Sequence, residues 1–165
     1  MEQIDIDDID LSLLDTLQRD AAISNQALAA QVHVSPPTCL RRVKRLRDSG
    51  LIEREIAILN PDRLAPVLGH GLTAVVEISL DRQGVEHLDA FEQRVAADEV
   101  VQQCYRVSPG PDFILIVHAP DMPAYQALAQ RLFTADANVR NVKAFFSVKR
   151  AKFEPRLAIP GSKRP

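Results

Sequence analysis

The residues best placed to do chemistry in this sequence are basic side chains that cluster just before Gly50. Five of the seven residues from 41 to 47 are lysine or arginine, and none is acidic. Guanidinium groups at helical spacing can bind phosphates or donate paired hydrogen bonds to O6 and N7 of guanine. The cluster therefore indicates either a solvated helix face or a surface that binds nucleic acid.

The residues around this cluster favour nucleic acid, because they predict a helix-turn-helix. Ser24 can cap a first helix, and Ser35 followed by two prolines can begin a second. The second helix of such a motif is the one that enters the major groove of DNA. Thr38 and the arginines are spaced to share its exposed face. The residues that we expect to contact double-stranded DNA are Ser35, Pro37, Thr38, Arg41, Arg42 and Arg45.

The second helix should pack on the first through an apolar stripe on its other side. That stripe is predicted to contain Leu40, Val43 and Leu46, and Cys39 lies beside it. Gly50 is suited to end the helix in a left-handed conformation. The segment 51–56 is then expected to form a short strand, as in a winged helix.

An acidic segment at the start of the chain predicts one more helix before this motif. Asp7 can cap that helix, and Asp10 three residues later gives a near capping box. Both carboxylates also suit the positive end of the helix dipole. Clustered aspartates can bind a metal, but at a helix start capping explains them better, so we expect no metal site here.

Composition is that of an ordinary globular protein. The 165 residues carry a formal net charge of −2, which argues against indiscriminate coating of nucleic acid but permits a local basic patch. The two cysteines do not form a disulfide framework, and no apolar run approaches the length of a membrane span, about 20 residues. Because Met1 leads directly into an acidic segment, no signal peptide is predicted. We expect a cytoplasmic protein without membrane contact.

Beyond residue 71 the apolar residues change from helical to alternating spacing. The patterns predict a strand, a helix, two strands joined by a turn, a second helix and a last strand. This order, β-α-β-β-α-β, is that of a ferredoxin-like sandwich, in which both helices cover one face of an antiparallel sheet. The fold class is therefore α+β, with a winged helix-turn-helix domain over 1–60, a linker over 61–70, a ferredoxin-like domain over 71–155 and a flexible tail over 156–165.

The sheet of the second domain should leave one apolar face uncovered. Its third strand is apolar on both sides, and Val75 and Phe145 also point away from the predicted helices. A second copy of the same sheet is the simplest cover for such a face. We therefore predict a homodimer, which also brings two helix-turn-helix motifs to two half-sites on DNA.

The sequence offers little else for chemistry. The four histidines are scattered over different predicted elements, and Cys39 and Cys104 give no metal-binding spacing. No nucleophile, phosphate-binding or dinucleotide-binding motif occurs. We expect no catalytic residue, no cofactor and no metal.

Together these residues resemble the Lrp/AsnC family of bacterial transcription regulators, from Ile4 to about Phe153. Each motif is weak alone, but their order and spacing are specific. In the first half the resemblance is carried by Ile6-Asp7, Ser35-Pro36, Cys39-Leu40, Arg42-Val43 and Gly50-Leu51-Ile52. In the second half it is carried by Cys104, Val107-Ser108, Asp112-Phe113 and Pro120-Asp121-Met122.

The resemblance implies a DNA-binding regulator, not an enzyme, that senses a small effector, typically an amino acid, and controls amino-acid metabolism or transport. Members commonly assemble from dimers into octamers, with the effector between dimers near the loop joining the second and third strands. Here that loop is 107–112, where a carboxylate can bind an ammonium group and the amides of a glycine-containing turn can bind a carboxylate. The implied effector residues are Ser108, Gly110, Asp112, Val142 and Ala144.

The sequence departs from the family in three places. Pro109 stands where glycine is usual, and proline removes an amide that can hold a carboxylate. Val142 and Ala144 stand where many members have hydroxyl residues that line the pocket. The effector is therefore either more apolar than usual or no longer bound. In the turn of the helix-turn-helix, His33 replaces a common glycine, and histidine tolerates a left-handed backbone better than most residues.

Two other functions stay open. The altered loop is compatible with an architectural protein that packages DNA with little sequence preference and no effector. Siroheme decarboxylases are similar in fold, so an enzyme on this scaffold is a third alternative. Such an enzyme needs substrate-anchoring histidines and arginines in its sheet domain and no basic recognition helix, so the five basic residues between Arg41 and Arg47 argue against it.

Overall fold

The computed structural model describes residues 5–159, which form two compact units. The helical unit contains residues up to Ile58 together with residues from Lys152 onward. The sheet unit contains Leu59–Ala151. The chain therefore leaves the helical unit once and later returns to it.

Each helix of the helical unit begins at the side-chain cap that the sequence predicts. The helices are α1, Asp8–Leu17; α2, Asn25–Gln31; and α3, Pro36–Asp48. The Asp7 carboxylate accepts from the Asp10 amide at 2.9 Å, and the Asp7 amide donates to the Asp10 carboxylate at 3.3 Å, so the capping box is complete. The hydroxyl groups of Ser24 and Ser35 accept from first-turn amides of α2 and α3.

The core of the helical unit lies where its three helices meet. Cys39, Val43 and Leu46 of α3 are buried there, as predicted. Leu40 is 59% exposed, so its assignment to the same stripe is wrong. At about 100° per residue, Leu40 lies more than a quarter of a turn from the midline of the three buried side chains. The core is completed from α1 and α2 by Leu13, Leu17, Leu28 and Ala29.

The left-handed residues expected in the helical unit are present, but the strand expected after α3 is not. His33 adopts the left-handed region with a φ of 57°, and so does Gly50 with a φ of 75°. The segment 51–56 does not form the predicted strand. A strand needs a hydrogen-bonded neighbour, and all four strands in the described part of the chain belong to the sheet unit.

The second residue of the predicted flexible tail, Leu157, is hydrogen-bonded within the helical unit. The side-chain amide of Gln18 donates to the Leu157 carbonyl at 3.0 Å and accepts from the Leu157 amide at 2.9 Å. One side chain thus satisfies both backbone polar groups of a residue 139 positions away. The flexibility of this tail stays a prediction, and residues 160–165 of the tail lie outside the described residues.

The sheet unit begins with a helix where the sequence predicts a linker. Helix α4 spans Pro61–Leu68, and the side chain of Asn60 caps it by accepting from the Arg63 amide at 3.2 Å. Pro61 occupies the first turn, where a missing amide is harmless, so the Asn-Pro pair starts an element instead of only ending one. Gly69, with a φ of 80°, follows the helix in a conformation that favours glycine.

The remaining elements follow the predicted order. The four strands form one antiparallel sheet in the spatial order β2-β3-β1-β4, which is the ferredoxin-like α+β arrangement. A π-helical turn, Gln130–Thr134, extends the last helix. The elements are β1, Leu72–Leu80; α5, Val85–Ala96; β2, Val101–Arg106; β3, Phe113–Ala119; α6, Met122–Ala129; and β4, Val139–Phe146.

The core of the sheet unit lies between one face of this sheet and the helices α5 and α6. The predicted inward face of β1 is confirmed, because every second residue from Ala74 to Leu80 has no exposed surface. These residues pack in one cluster with side chains from β3 and both helices. The largest of those are Phe91, Phe113, Leu115, Leu128 and Phe133.

The other face of the sheet is apolar near its middle. Val75 pairs with Ile116 of β3 on one side and with Phe145 of β4 on the other. Phe145 is 54% exposed, and Tyr105 on β2 is 53% exposed. The chain therefore carries the uncovered apolar face on which the predicted homodimer depends.

Candidate nucleic-acid interface

Helix α3 presents a polar face opposite its buried stripe. Because successive residues are about 100° apart on a helix, Thr38, Arg41 and Arg45 fall within about 60° of one another. Arg41 lies near the centre of this face, is exposed, and forms no salt bridge within residues 5–159. Its guanidinium group is therefore available to a ligand.

Arg42 is spaced to share that face, but its side chain turns toward the start of α1. Its Nη1 lies 2.8 Å from Oδ2 of Asp7 and 2.9 Å from Oδ1 of Asp10. The Arg42 side chain is only 19% exposed, and its Nε is buried without a hydrogen-bond partner in the described part of the chain. Arg42 lies only about 40° around the helix from Thr38, so the cause is the pull of the two carboxylates and not its angular position.

The contact between Arg42 and the two aspartates stabilises the charged forms of Arg42 and Asp7. Hydrogen bonds to Asp10 and then to Asp7 raise the pKa of Arg42 above its ordinary value. The pKa of Asp7 is lowered, chiefly because the Asp10 amide donates to its carboxylate and further because Arg42 lies beside it. Both groups are thus held in their charged forms, and Arg42 connects α1 to α3.

Arg45 combines a structural contact with exposure. Its Nη2 forms a short salt bridge to Oδ2 of Asp10, whose side chain has no exposed surface. The Arg45 side chain is nevertheless 43% exposed. Since a guanidinium group carries five N–H donors, Arg45 can keep this contact and still donate to a phosphate. The buried carboxylate of Asp10 therefore fixes the position of the Arg45 guanidinium group.

The first turn of α3 contains the three remaining predicted contacts. Ser35 accepts from the Thr38 amide at 3.4 Å and donates its hydroxyl to Oγ1 of Thr38 at 2.9 Å. Pro37 is exposed between them. These hydrogen bonds hold the half-buried Thr38 side chain at the start of the helix, on the same face as Arg41.

The other cations of α3 are paired with acids. Lys44 lies 2.6 Å from Asp48, and Arg47 lies 2.6 Å from Glu55. Such exposed pairs contribute little stability and exchange readily with solvent or a phosphate. Arg41 is thus the one basic residue of the segment 41–47 without an acidic partner in the described part of the chain.

Asp7 and Asp10 are the functional residues that the sequence did not assign to this site. Their positions identified them as helix caps, which they are. Their second role depends on Arg42 and Arg45, which follow Asp10 by 32 and 35 residues. No local spacing could reveal that pairing.

The loop predicted to bind an effector is held by Asp112. Its Oδ2 accepts from the Leu80 amide at 2.7 Å, its own amide donates to the Ile78 carbonyl at 2.8 Å, and its carbonyl accepts from the Val107 amide at 3.0 Å. One carboxylate oxygen is therefore already used inside the sheet unit. Ser108 and Gly110 are exposed in this turn, and the Ser108–Pro109 peptide bond is cis.

The two predicted effector residues of β4 lie on the helix-covered side of the sheet. Val142 pairs with Ile78, and Ala144 pairs with Val76, both of which are fully buried. Val142 and Asp112 lie on opposite sides of Ile78, because Val142 is its register partner on β4 and the Asp112 amide donates to its carbonyl from the loop before β3. Ala144 lies two residues farther from the loop.

A cleft of 740 Å³ opens at the other end of β1. Thr73 and His118 line it, and Oγ1 of Thr73 lies 3.2 Å from Nδ1 of His118. None of the five predicted effector residues lines this cleft. Its position therefore gives no support to the predicted effector site.

Two kinds of feature are absent from residues 5–159. They contain no group of three or more histidine, cysteine, aspartate or glutamate side chains that could hold a metal ion. None of their helices is both long enough and apolar enough to cross a membrane.

Both halves of the chain match known families. Residues 73–157 match the model of the Lrp/AsnC ligand binding domain, and residues 6–53 match the model of a winged helix-turn-helix DNA-binding domain. The leucine-responsive regulatory protein of Escherichia coli K12 is 35% identical over 155 residues, which cover 94% of this chain and 92% of that protein. An uncharacterized HTH-type transcriptional regulator of Haemophilus influenzae is 34% identical over 141 residues, covering 86% and 82%.

Solved structures agree with these matches. The AsnC family transcriptional regulator from Agrobacterium tumefaciens superimposes with a TM-score of 0.80 at 29% identity, covering 93% of this chain and 97% of that one. A transcriptional regulator from Neisseria meningitidis, solved as a complex with L-Met, gives a TM-score of 0.81 at 26% identity, covering 94% and 98%.

Proposed function

The chain belongs to the Lrp/AsnC family of transcriptional regulators, and from this membership we propose that it binds specific DNA sequences and responds to a small effector, an amino acid. The observation that carries the proposal is Arg41, an exposed cation at the centre of the polar face of α3 that forms no ion pair within residues 5–159. An arginine in that position can form a bidentate contact with guanine in the major groove. Thr38 and Arg45 supply further donors on the same face.

The proposed effector is an amino acid because the sheet unit matches the family's ligand binding domain and a relative was solved with L-Met. We propose that the effector binds near Ser108, Gly110 and Asp112, with Val142 and Ala144 on β4, the strand on the other side of β1. The free oxygen of Asp112 is the group that would accept from an ammonium. The proposed targets are genes of amino-acid metabolism or transport.

The assembly proposed here is a homodimer that associates further into an octamer. The exposed face around Val75 and Phe145 supports the dimer, because apolar surface of this kind is stabilised by burial. Residues 1–60 would bind DNA in the cytoplasm and residues 71–155 would sense the effector. The curated relatives are named as transcriptional regulators, and we propose that this chain is likewise not an enzyme.

The test is DNA binding followed by effector binding. Selection from a pool of random duplexes with the full chain is expected to enrich one sequence pattern with two half-sites. A thermal-shift screen with the amino acids and their keto acids is expected to identify a stabilising ligand, since a hundredfold excess over Kd stabilises by about 2.7 kcal/mol. Absence of any enriched duplex would contradict the proposal.

A second function is favoured by one observation. The Asp112 carboxylate already accepts from the Leu80 amide, and two prolines flank Gly110 in the same turn. A loop so constrained fits an architectural DNA-binding protein that has no effector. A flat ligand screen combined with steep salt dependence and little sequence discrimination would favour that function.

A further inference from the structure

The first turn of α3, residues 36–39, has no free backbone donors. Pro36 and Pro37 lack amide hydrogens, the Thr38 amide donates to the Ser35 hydroxyl, and the Cys39 amide donates to the Ser35 carbonyl at 2.9 Å. The N-terminus of a helix ordinarily offers unsatisfied amides that can bind phosphate. In this helix those amides are missing or already used, so its tip is not built for a phosphate.

Two exposed apolar side chains, Pro37 and Leu40, lie in the first two turns of the same helix. Leu40 is 59% exposed, and it is the one exposed large apolar side chain between Ser24 and Gly50, a range that the structure describes completely. On the helix surface Leu40 lies about 60° from Pro37, which is also exposed, and about 100° from Arg41. The first two turns of α3 thus present a small apolar patch beside its free guanidinium group.

The major groove of DNA has one apolar feature, the C5-methyl group of thymine. We propose that Leu40 contacts thymine methyl groups and is a residue that determines which DNA sequence this chain prefers. The proposal rests on the proposed function, since it requires α3 to enter the groove. Single leucines on a surface are common and need no explanation. What distinguishes Leu40 is that it follows a first turn without free amides and directly precedes Arg41, which forms no ion pair within residues 5–159.

The test removes the methyl group without changing the hydrogen-bonding edge of the base. The duplex selected by the full chain is resynthesised with each thymine in turn replaced by deoxyuridine, and the affinity of each version is measured. The wild-type chain is expected to lose about fourfold in affinity at one or more positions in each half-site, the effect of burying one methyl-sized group. Leu40→Ala is expected to bind the thymine and deoxyuridine versions equally at those positions.

Two further variants make the comparison specific. Leu40→Gln keeps the length and helix propensity of the side chain but is polar, and it should also lose the preference. Leu51→Ala removes another exposed leucine of the helical unit, outside α3, and should keep the fourfold ratio. A selected site without thymine, equal wild-type affinity for both bases, or a preference that survives in both Leu40 variants would each overturn the proposal. Failure to select any duplex is seen before a base is replaced, and it overturns the proposed function itself.

Discussion

The carboxylate of Asp10, which has no exposed surface, lies 2.9 Å from Nη1 of Arg42. The same carboxylate pairs with Arg45 one turn later on α3 and accepts from the Asp7 amide at the start of α1. A single buried acid therefore fixes the start of one helix and two arginines of another. Arg41 has no acidic partner within residues 5–159, so its guanidinium group is available for the proposed contact with DNA.

Asp10→Ala should strongly destabilise the helical unit. Removing one partner of a buried ion pair leaves the other charge uncompensated, at a cost of about 3–5 kcal/mol. We expect about 3 kcal/mol, the lower end of that range, because Arg45 is 43% exposed and can turn to water. Hydrogen exchange of the α1 and α3 amides would measure the change. Asp8→Ala, at an exposed first-turn acid of α1, is the control, and equal effects of the two variants would contradict the role of Asp10.

The stability of the helical unit should fall in acid because of Asp7. Its pKa is below the ordinary value of 3.8 in the folded chain, so its contribution is present above about pH 4 and is lost as the pH falls through the folded pKa. Asp7→Asn is expected to flatten this dependence in denaturation curves recorded from pH 6 to pH 3. Asp5→Asn, at an exposed acid just before the helix, should leave it unchanged. Identical pH profiles for Asp7→Asn and the wild type would argue against the mechanism.

Arg41→Ala and Arg42→Ala should have opposite phenotypes. Loss of Arg41 is expected to weaken binding to the selected duplex by about 1–3 kcal/mol without changing thermal stability, since that side chain has no partner in the described part of the chain. Loss of Arg42 should lower thermal stability, because Asp10 and Asp7 lose a partner. Electrophoretic mobility shifts and melting curves of both variants are the measurements.

A matched control for Arg41 is Arg54→Ala, at an exposed arginine of the same unit outside α3. It should retain nearly wild-type affinity. If Arg54→Ala and Arg41→Ala weakened binding equally, the effect would be one of net charge and not of the α3 face.

Asp112→Asn and Asp112→Ala should separate the structural role of this residue from an effector role. Asparagine keeps an oxygen for the Leu80 amide, whereas alanine leaves that amide without its 2.7 Å partner. We expect alanine to lose about 1–2 kcal/mol of stability and asparagine to lose much less. If Asp112 also binds an ammonium group, both variants should lose the thermal shift caused by an amino acid. Asp81→Asn, at an exposed acid after β1, should preserve it.

The features predicted from sequence were those set by neighbours along the chain. The caps at Asp7, Ser24 and Ser35, the left-handed His33 and the inward face of β1 each depend on a few adjacent residues. The order of strands and helices follows from a change in spacing of apolar residues. Local rules therefore identified the fold and the helix that carries the candidate site.

The features that the sequence did not predict correctly share a different cause. The strand expected over 51–56 requires a hydrogen-bonding partner that local sequence cannot supply. Leu40 follows Cys39 directly, and only the packed helix shows which of the two enters the core. The pairing of Arg42 with Asp10 joins residues 32 positions apart. Each depends on contacts between distant parts of the chain, which spacing alone does not encode.

The hydrogen bonds between Gln18 and Leu157 can form only after the whole sheet unit has been synthesised. The buried core of the helical unit, by contrast, uses side chains from Leu13 to Leu46. These residues all leave the ribosome before β1 is made, so that core can pack without Leu157, which is 80% exposed. The return of the chain to the helical unit is therefore a late addition to a core that is already complete.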